Sequence, residues 1–367
     1  MKNNSRSKGC HTHQPTIFSN IAKQGLIASA LSLVLITTVN AASLKDTQKA
    51  AKKGDLTAQV DLALRHIDGN GVKKDVSKGL ELLSAAAKKG NDRAQANLGL
   101  MYLNGVGVPA NDKKAAEWFE KAAKQGGDRV QNGLGLMYHD GRGVEQSYTK
   151  ANEWFEKSAK QGNAEAMFNL AMAYHYGRGA TVNIGRAVEL YEQSAKQGDA
   201  KAQYNLGFMY ATGNGLPKDT KKAINLYELS AMQGYPKAQY NLATVYHFDA
   251  TGFQDYSKAL GWYQEAAKQD VNRAQYNIGL MYDRGEGVPA NKGVAIEWYS
   301  KACNNGLQDG CLALLPQPTP VPQATTQQQQ VPAVQPQYQF NQAAHEAWQL
   351  KKPANPMIDN PKKESNW

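Results

Sequence analysis

Cysteine is scarce: three occur among 367 residues, too few for a disulfide-dense mini-domain or a cysteine-rich zinc scaffold. No long apolar run follows Val39, so the body of the chain offers no segment of the roughly 20 residues needed to cross a bilayer. The 33 glycines show no Gly-X-Y period, which excludes collagen. Charged residues are limited to 20% and apolar residues reach 41%, so most of the chain can bury a core. The length suits two or three ordinary domains or one long repeat array.

The formal net charge is +10, but its distribution argues against nucleic acid as a partner. Residues 1–41 carry +4 from Lys2, Arg6, Lys8 and Lys23, and residues 316–367 carry +1, leaving a mild +5 for everything between. The amino-terminal excess has a different explanation. Residues 1–24 are polar and basic, Gly25 to Val39 are uncharged and mostly apolar, and Val39-Asn40-Ala41-Ala42 follows. A basic stretch, a short apolar stretch and a small-residue cleavage site make a secretory signal over 1–41. About 15 apolar residues fall short of the ~20 of an uncleaved anchor. Cys10 is lost with the signal, and the mature protein is expected in the periplasm or the medium of a bacterium.

Self-comparison reveals a repeat. Leu62, Leu98, Leu134, Leu170, Leu206, Leu242 and Ile278 stand 36 residues apart. A phrase recurs around them, as in Ala94-Gln-Ala-Asn-Leu-Gly-Leu-Met-Tyr102, Ala202-Gln-Tyr-Asn-Leu-Gly-Phe-Met-Tyr210 and Ala274-Gln-Tyr-Asn-Ile-Gly-Leu-Met-Tyr282. Its apolar residues fall on one face of a helix. A Gly-x-Gly follows in six of the units, a helix C-cap and tight turn. A second helix is expected to start near Asn111, Ser147, Asn183, Thr220, Ser257 or Asn291. It carries an aromatic pair such as Trp118-Phe119 or Trp298-Tyr299, read as core rather than as a ligand stripe, and ends in Ala-Ala-Lys-Gln-Gly.

These phrases resemble the Sel1-like repeat family, a relative of the tetratricopeptide repeat. The resemblance covers about 250 residues. It implies an all-α fold, a right-handed α-solenoid of seven 36-residue helix-turn-helix repeats that binds other proteins or exported polymers, and no single reaction. The organisation expected is a signal at 1–41, a capping helix at 42–54, repeats at 55–306, a second capping helix at 307–315 and a flexible tail at 316–367. From Pro316 to Gln342 that tail holds six prolines and ten glutamines. Repeat six departs from the pattern. Asp249 and Thr251 replace its glycine pair, so that loop must turn differently.

Cys303 and Cys311 lie on the last second helix and on the capping helix. Antiparallel packing brings them together, and an oxidising compartment would close a disulfide worth about 2–3 kcal/mol. Two buried free thiols are the alternative. The last unit is similar here to the Helicobacter cysteine-rich branch of the family, whose repeats carry cysteines eight positions apart.

Catalytic signatures are sparse. Ser147-Tyr-Thr-Lys150 matches S-x-x-K, relevant because weak β-lactam binding is associated with that branch, but Ser-Asp-Asn and Lys-Thr-Gly are absent and Ser147 lies at an expected N-cap. His345-Glu346 lacks the second histidine of H-E-x-x-H. His139, His175 and His247 share one repeat position. Helices packed roughly 8–10 Å apart cannot easily present two such rows to one ion bound at about 2.0–2.1 Å, so they read as surface variation. No enzyme activity, metal or cofactor is expected.

Two polar rows remain as candidate partner-binding residues. Arg93, Arg129, Lys201, Lys237 and Arg273 stand five residues before the repeat leucine; Asn97, Asn169, Asn205, Asn241 and Asn277 stand one before it. The rows lie one turn apart on the same helix face. Cations in a first turn oppose the helix dipole by about 0.3–1 kcal/mol each, which invites a reason beyond stability. In tetratricopeptide relatives the concave face is built by first helices, and asparagine there can hydrogen-bond an extended peptide. The alternative is that asparagine ties neighbouring helices together while the cations form a solvated face. The expected function is a non-catalytic, exported scaffold binding an extended or acidic protein or peptide along its concave face. A cell-wall enzyme or β-lactam binder and an accessory of exported polysaccharide assembly are the alternatives.

Overall fold

The structure, a computed structural model, describes residues 43–249 and 251–315. The signal expected at 1–41, the tail expected at 316–367, and Cys10 and His345-Glu346 within them lie outside the described residues. Among the described residues there are sixteen helices and no strand. None of these helices is long and apolar enough to cross a membrane.

Helix α1 (Leu44–Lys52) precedes seven helix pairs. They are α2 (Leu56–Asp68) with α3 (Val76–Lys88), α4 (Asp92–Asn104) with α5 (Asp112–Gln125), and α6 (Asp128–Asp140) with α7 (Tyr148–Lys160). Then come α8 (Ala164–Tyr176) with α9 (Ile184–Lys196), α10 (Ala200–Thr212) with α11 (Thr220–Met232), and α12 (Pro236–Phe248) with α13 (Tyr256–Ala267). The last pair is α14 (Asn272–Arg284) with α15 (Lys292–Asn304), and the short α16 (Gln308–Ala313) follows. Two compact units are distinguished: 43–166 with 177–181, and 167–176 with the described residues of 182–315.

Sequence chemistry explains each boundary. Gly69, Gly105, Gly141, Gly213 and Gly285 end first helices in the left-handed conformation, each donating its N–H to a carbonyl four residues back. Second helices start on a side-chain oxygen. Asp75, Asn111, Ser147, Asn183, Asp219, Asp255 and Asn291 each accept from the backbone N–H three residues on. Such a cap is worth roughly 1 kcal/mol. Two of the expected caps are corrected here: Thr220 and Ser257 lie inside their helices, and the carboxylates of Asp219 and Asp255 take the capping position. An ionised cap also meets the positive end of the helix dipole.

Repeat six turns without its glycines. Helix α12 ends on Asp249 in an extended conformation, and the Asp249 carboxylate accepts from the backbone N–H groups of Thr251 and Phe253, both at 3.1 Å. A side-chain turn replaces the left-handed one. Another departure follows α13. Asp270 holds φ of 60° where Gly54, Gly90, Gly162, Gly198, Gly234 and Gly306 stand in the other units, and it is the one non-glycine at positive φ among the described residues.

In the first unit Phe119, Leu134 and Met137 pack among Ala115, Ala122 and Ala123, and in the second Tyr227, Tyr263, Ile278 and Met281 play the same part. The aromatic pairs therefore divide. Phe119, Phe155, Tyr191, Tyr227, Tyr263 and Tyr299 are buried, as read from the sequence. Trp118, Trp154 and Trp298, one position earlier on the helix, sit half-buried at the core edge. Lys121, Lys157 and Lys301 lie over their rings at 4.2, 3.9 and 4.1 Å.

Cys303 on α15 and Cys311 on α16 are disulfide-bonded, with 4.7 Å between their Cα atoms. The bond fastens a six-residue helix that buries little besides Gly310. Purified, unreduced protein should weigh two protons less than its reduced form and show no titratable thiol once residues 1–41 are removed. Two thiols per molecule would contradict the bond.

Candidate functional site

The five cations occupy equivalent places. Arg93, Arg129, Lys201, Lys237 and Arg273 are each the second residue of their first helix. Lys237 and Arg273 are exposed; Arg93, Arg129 and Lys201 are half-buried. Their electrostatic settings differ between the units. In the first, Asp92 and Asp128 sit in the same first turns as Arg93 and Arg129, and Arg93 Nη2 reaches Asp61 Oδ1 at 3.3 Å. Asp61 and Gly133 are the exceptions in the asparagine row, and Asp61 is buried. In the second unit, the first turns of α10, α12 and α14 contain no acid. Thirty-two residues before Lys237 and Arg273, the interval that separates Asp61 from Arg93, stand the neutral Asn205 and Asn241.

The amino-terminal ends of α12 and α14 are further set apart by their caps. Tyr235 and Val271 occupy the N-cap positions, and neither makes a side-chain hydrogen bond to the helix. Helix α10 is instead capped by Asp199, whose carboxyl is pushed up by burial against the opposing pull of the Ala202 N–H and Lys201. Pro236 has no N–H, and the amides of Ala238 and Ala274 donate to Tyr235 O and Val271 O, so the Lys237 N–H in α12 and the Asn272 and Arg273 N–H groups in α14 are the first-turn donors that add partial positive charge beside the two cations.

Two members of the asparagine row join repeats, and two others bond within their own helices. Asn277 Nδ2 donates to Tyr263 Oη at 2.9 Å, and Asn241 Nδ2 lies 3.4 Å from both Tyr204 Oη and Tyr227 Oη. Asn97 and Asn205 donate to Arg93 O and Lys201 O one turn back, each at 2.8 Å. Asn97 is 0% exposed and Asn277 8%, so for these two the partner-binding expectation is corrected: no approaching chain reaches them. Asn169, Asn205 and Asn241 are half-buried. Burial drives the hydroxyls of Tyr227 and Tyr263 far above the ordinary range, although their asparagine bonds oppose the shift. Both tyrosines are therefore neutral donors or acceptors, never charges.

A second set of amides escaped the sequence reading. Buried Gln95, Gln131, Gln203, Gln239 and Gln275 donate to Ala87 O, Ala123 O, Ala195 O, Ala231 O and Ala267 O, eight residues back in each case. Their own carbonyls accept from Gln125, Gln161, Gln233, Gln269 and Asn305, thirty residues on. The signal is the glutamine that recurs in Ala-Gln-x-Asn and in Lys-Gln-Gly, with Met167 in the first place in one unit and Asn305 in the second in another.

The remaining chemical candidates fall to structural roles. Ser147 Oγ accepts from Lys150 N at 3.3 Å as the cap of α7, while Lys150 Nζ lies over the Tyr138 ring at 5.4 Å. Serine and ammonium are thus engaged separately. Among the described residues no group of three or more His, Cys, Asp or Glu is placed to hold a metal. His139 contacts Asp140 beside it at 2.8 Å. His247 departs from the surface reading: it is 1% exposed, and its Nε2 lies 2.7 Å from Glu286 Oε2 in the next repeat. The loop that follows its helix and the Gly285-Glu286-Gly287 turn of the next repeat enclose it.

The family model described as the Sel1 repeat matches residues 56–91, 92–127, 129–163, 164–199, 200–235, 236–271 and 272–307. Solved structures agree. A protective antigen present in uropathogenic Escherichia coli strains, displaying an SLR fold, is 33% identical with a TM-score of 0.69. The match covers 81% of this chain and 65% of the antigen, so this chain spans somewhat under two-thirds of that protein. A Sel1 repeat protein from Oxalobacter formigenes is 32% identical with a TM-score of 0.62, over 81% of this chain and 88% of that one. No curated protein matches.

Proposed function

This chain belongs to the Sel1 repeat family, and from that membership we propose that it is a non-catalytic, exported scaffold whose second unit binds an extended, acidic protein segment. Arrays of helical repeats present long surfaces suited to proteins rather than a closed pocket suited to one small substrate. The observation that carries the acidic preference is the pair of amino-terminal helix ends at α12 and α14. Each combines an exposed cation, Lys237 or Arg273, with an N-cap residue that makes no side-chain bond to the helix and with no acid in the first turn. A carboxylate arriving there gains a charge-assisted hydrogen bond and a favourable dipole. Lys201 on α10 extends the row by one repeat. Export is supported by the composition of residues 1–41 and by the cystine, since such bonds persist in oxidising compartments.

The test uses a fluorescently labelled polyglutamate peptide and the anisotropy of its complex. Reversing Lys201, Lys237 and Arg273 to Glu should weaken binding roughly 10- to 100-fold at low salt. It should also flatten the salt dependence, since near 1 M salt the screening length shrinks to about 3 Å. Circular dichroism should remain unchanged, because Lys237 and Arg273 are exposed and Lys201 is only half-buried. Equal binding by the triple variant would refute the reading.

A further inference from the structure

Two histidines at the same repeat position bridge to the following repeat, and both are held in ways that a second proton would spoil. His175 Nε2 lies 3.4 Å from Asn214 Nδ2, and His247 Nε2 lies 2.7 Å from Glu286 Oε2, with thirty-nine residues between partners in each case. Asn214 and Glu286 are the central residues of the Gly-x-Gly turns at 213–215 and 285–287. In both histidines Nδ1 is buried and meets no hydrogen-bond partner.

The consequences of protonation follow from the donor inventory. With Asn214 Nδ2 as the donor, His175 Nε2 is the bare nitrogen and the neutral ring carries its one proton on the buried Nδ1. Adding a proton there sets two donors against each other. His247 already donates from Nε2 to a carboxylate, so its added proton goes to Nδ1, where nothing accepts it. A buried donor without an acceptor loses its hydration and gains nothing in return.

Neighbouring charges do not reverse this. Around His247 stand Glu286, whose side chain is 22% exposed, and Arg284, whose Nη1 lies 3.7 Å from the other Glu286 oxygen. Glu286 favours the imidazolium and Arg284 disfavours it, while Phe248, Tyr256 and Tyr263 contribute neutral rings at 3.9, 5.6 and 5.7 Å. Around His175 stand the rings of Tyr176 and Tyr191 at 4.6 and 6.1 Å, and the neutral amide of Asn214. Burial is the leading influence on both imidazoles and holds each below the ordinary 6.5.

We propose that His175 and His247 are acid-release contacts: protonation detaches the turns at 213–215 and 285–287 from the preceding repeats and loosens two repeat boundaries in the second unit. For a histidine bound neutral in the folded state, stability is complete above the ordinary value and is lost as pH falls through the lowered one. The release therefore belongs below pH 6.5. For the equivalent turn at 105–107 the matching position thirty-nine residues earlier is Ile67, which does not titrate.

The experiment is hydrogen–deuterium exchange on the full chain across this range, with rates divided by those of unstructured peptide at each pH. Amides at 213–215 and 285–287 should lose protection by up to tenfold for each pH unit between 6.5 and the folded-state value and level off below it, while 105–107 stays constant. In the His175→Gln, His247→Gln double variant, whose amides can still meet Asn214 and Glu286, the acid response of both turns should vanish. An undiminished response in that variant would overturn the proposal. Should the variant fold poorly, imidazole titration of the wild-type chain by NMR decides: midpoints below 6.5 for both residues support it, and midpoints at or above that value overturn it.

Discussion

Tyr263→Ala should be the most damaging single substitution in the second unit, costing about 3–5 kcal/mol as expected for emptying a fully buried aromatic site. The ring is 0% exposed and packs in the cluster of Tyr227, Leu242, Ile278 and Met281. Its hydroxyl also holds Asn277 at 2.9 Å and Thr244 at 3.3 Å. Urea unfolding followed by circular dichroism measures the loss, with exchange protection in α12 to α15 showing where it falls. Tyr263→Phe separates the contributions: it keeps the ring and should cost only about 1 kcal/mol for the hydrogen bonds. A Phe variant as unstable as the Ala variant would mean that the hydroxyl network, not ring volume, holds these repeats together.

Gly143→Ala is the second large effect. Gly143 has φ of 73°, and a Cβ built there falls on the carbonyl group of Asp112 at the start of α5. The backbone of one repeat passes too close to the next for any side chain. Left-handed strain and a backbone collision together should cost about 2–4 kcal/mol. Gly162 supplies the control, with φ of 93° and no atom within 4 Å of the added carbon. Gly162→Ala should therefore cost only about 1 kcal/mol, the conformational part alone. Equal thermal shifts for the two variants would show that the close approach at Asp112 relaxes at little cost.

Much of this architecture is legible in the sequence because one unit is written seven times. The leucine spacing, the glycine turns and the capping asparagines each constrain local geometry. Where reading failed, the deciding partner lay far along the chain. Asn277 looks like a surface amide until Tyr263, fourteen residues earlier, is brought beneath it. His247 looks like a variable surface position until Glu286 and the glycine turn of the next repeat close over it. The capping errors at Thr220 and Ser257 were smaller. In each case the aspartate one or two positions before the hydroxyl residue takes the cap, and either side chain can accept the first amides. The acidic-partner reading depends on finer information still. Asp61 beside Arg93, against the neutral Asn205 and Asn241 thirty-two residues before Lys237 and Arg273, acquires meaning only once the 3.3 Å contact pairs the first two.

The glutamine hydrogen bonds bear on how such a molecule changes length over evolutionary time. Each rung joins residues eight or thirty positions apart, and the same two intervals recur throughout each unit. Deleting residues 200–235 as a block would join Asp199 to Pro236 and set Gln239 eight residues after Ala195, restoring a rung from unrelated halves. A deletion that is not a whole multiple of thirty-six residues mismatches donor and acceptor and leaves buried amides unsatisfied. Gain and loss of whole repeats are thus nearly silent to this interior, while a single inserted residue within a helix is not. Recombination between units becomes the permitted route to variants of different reach.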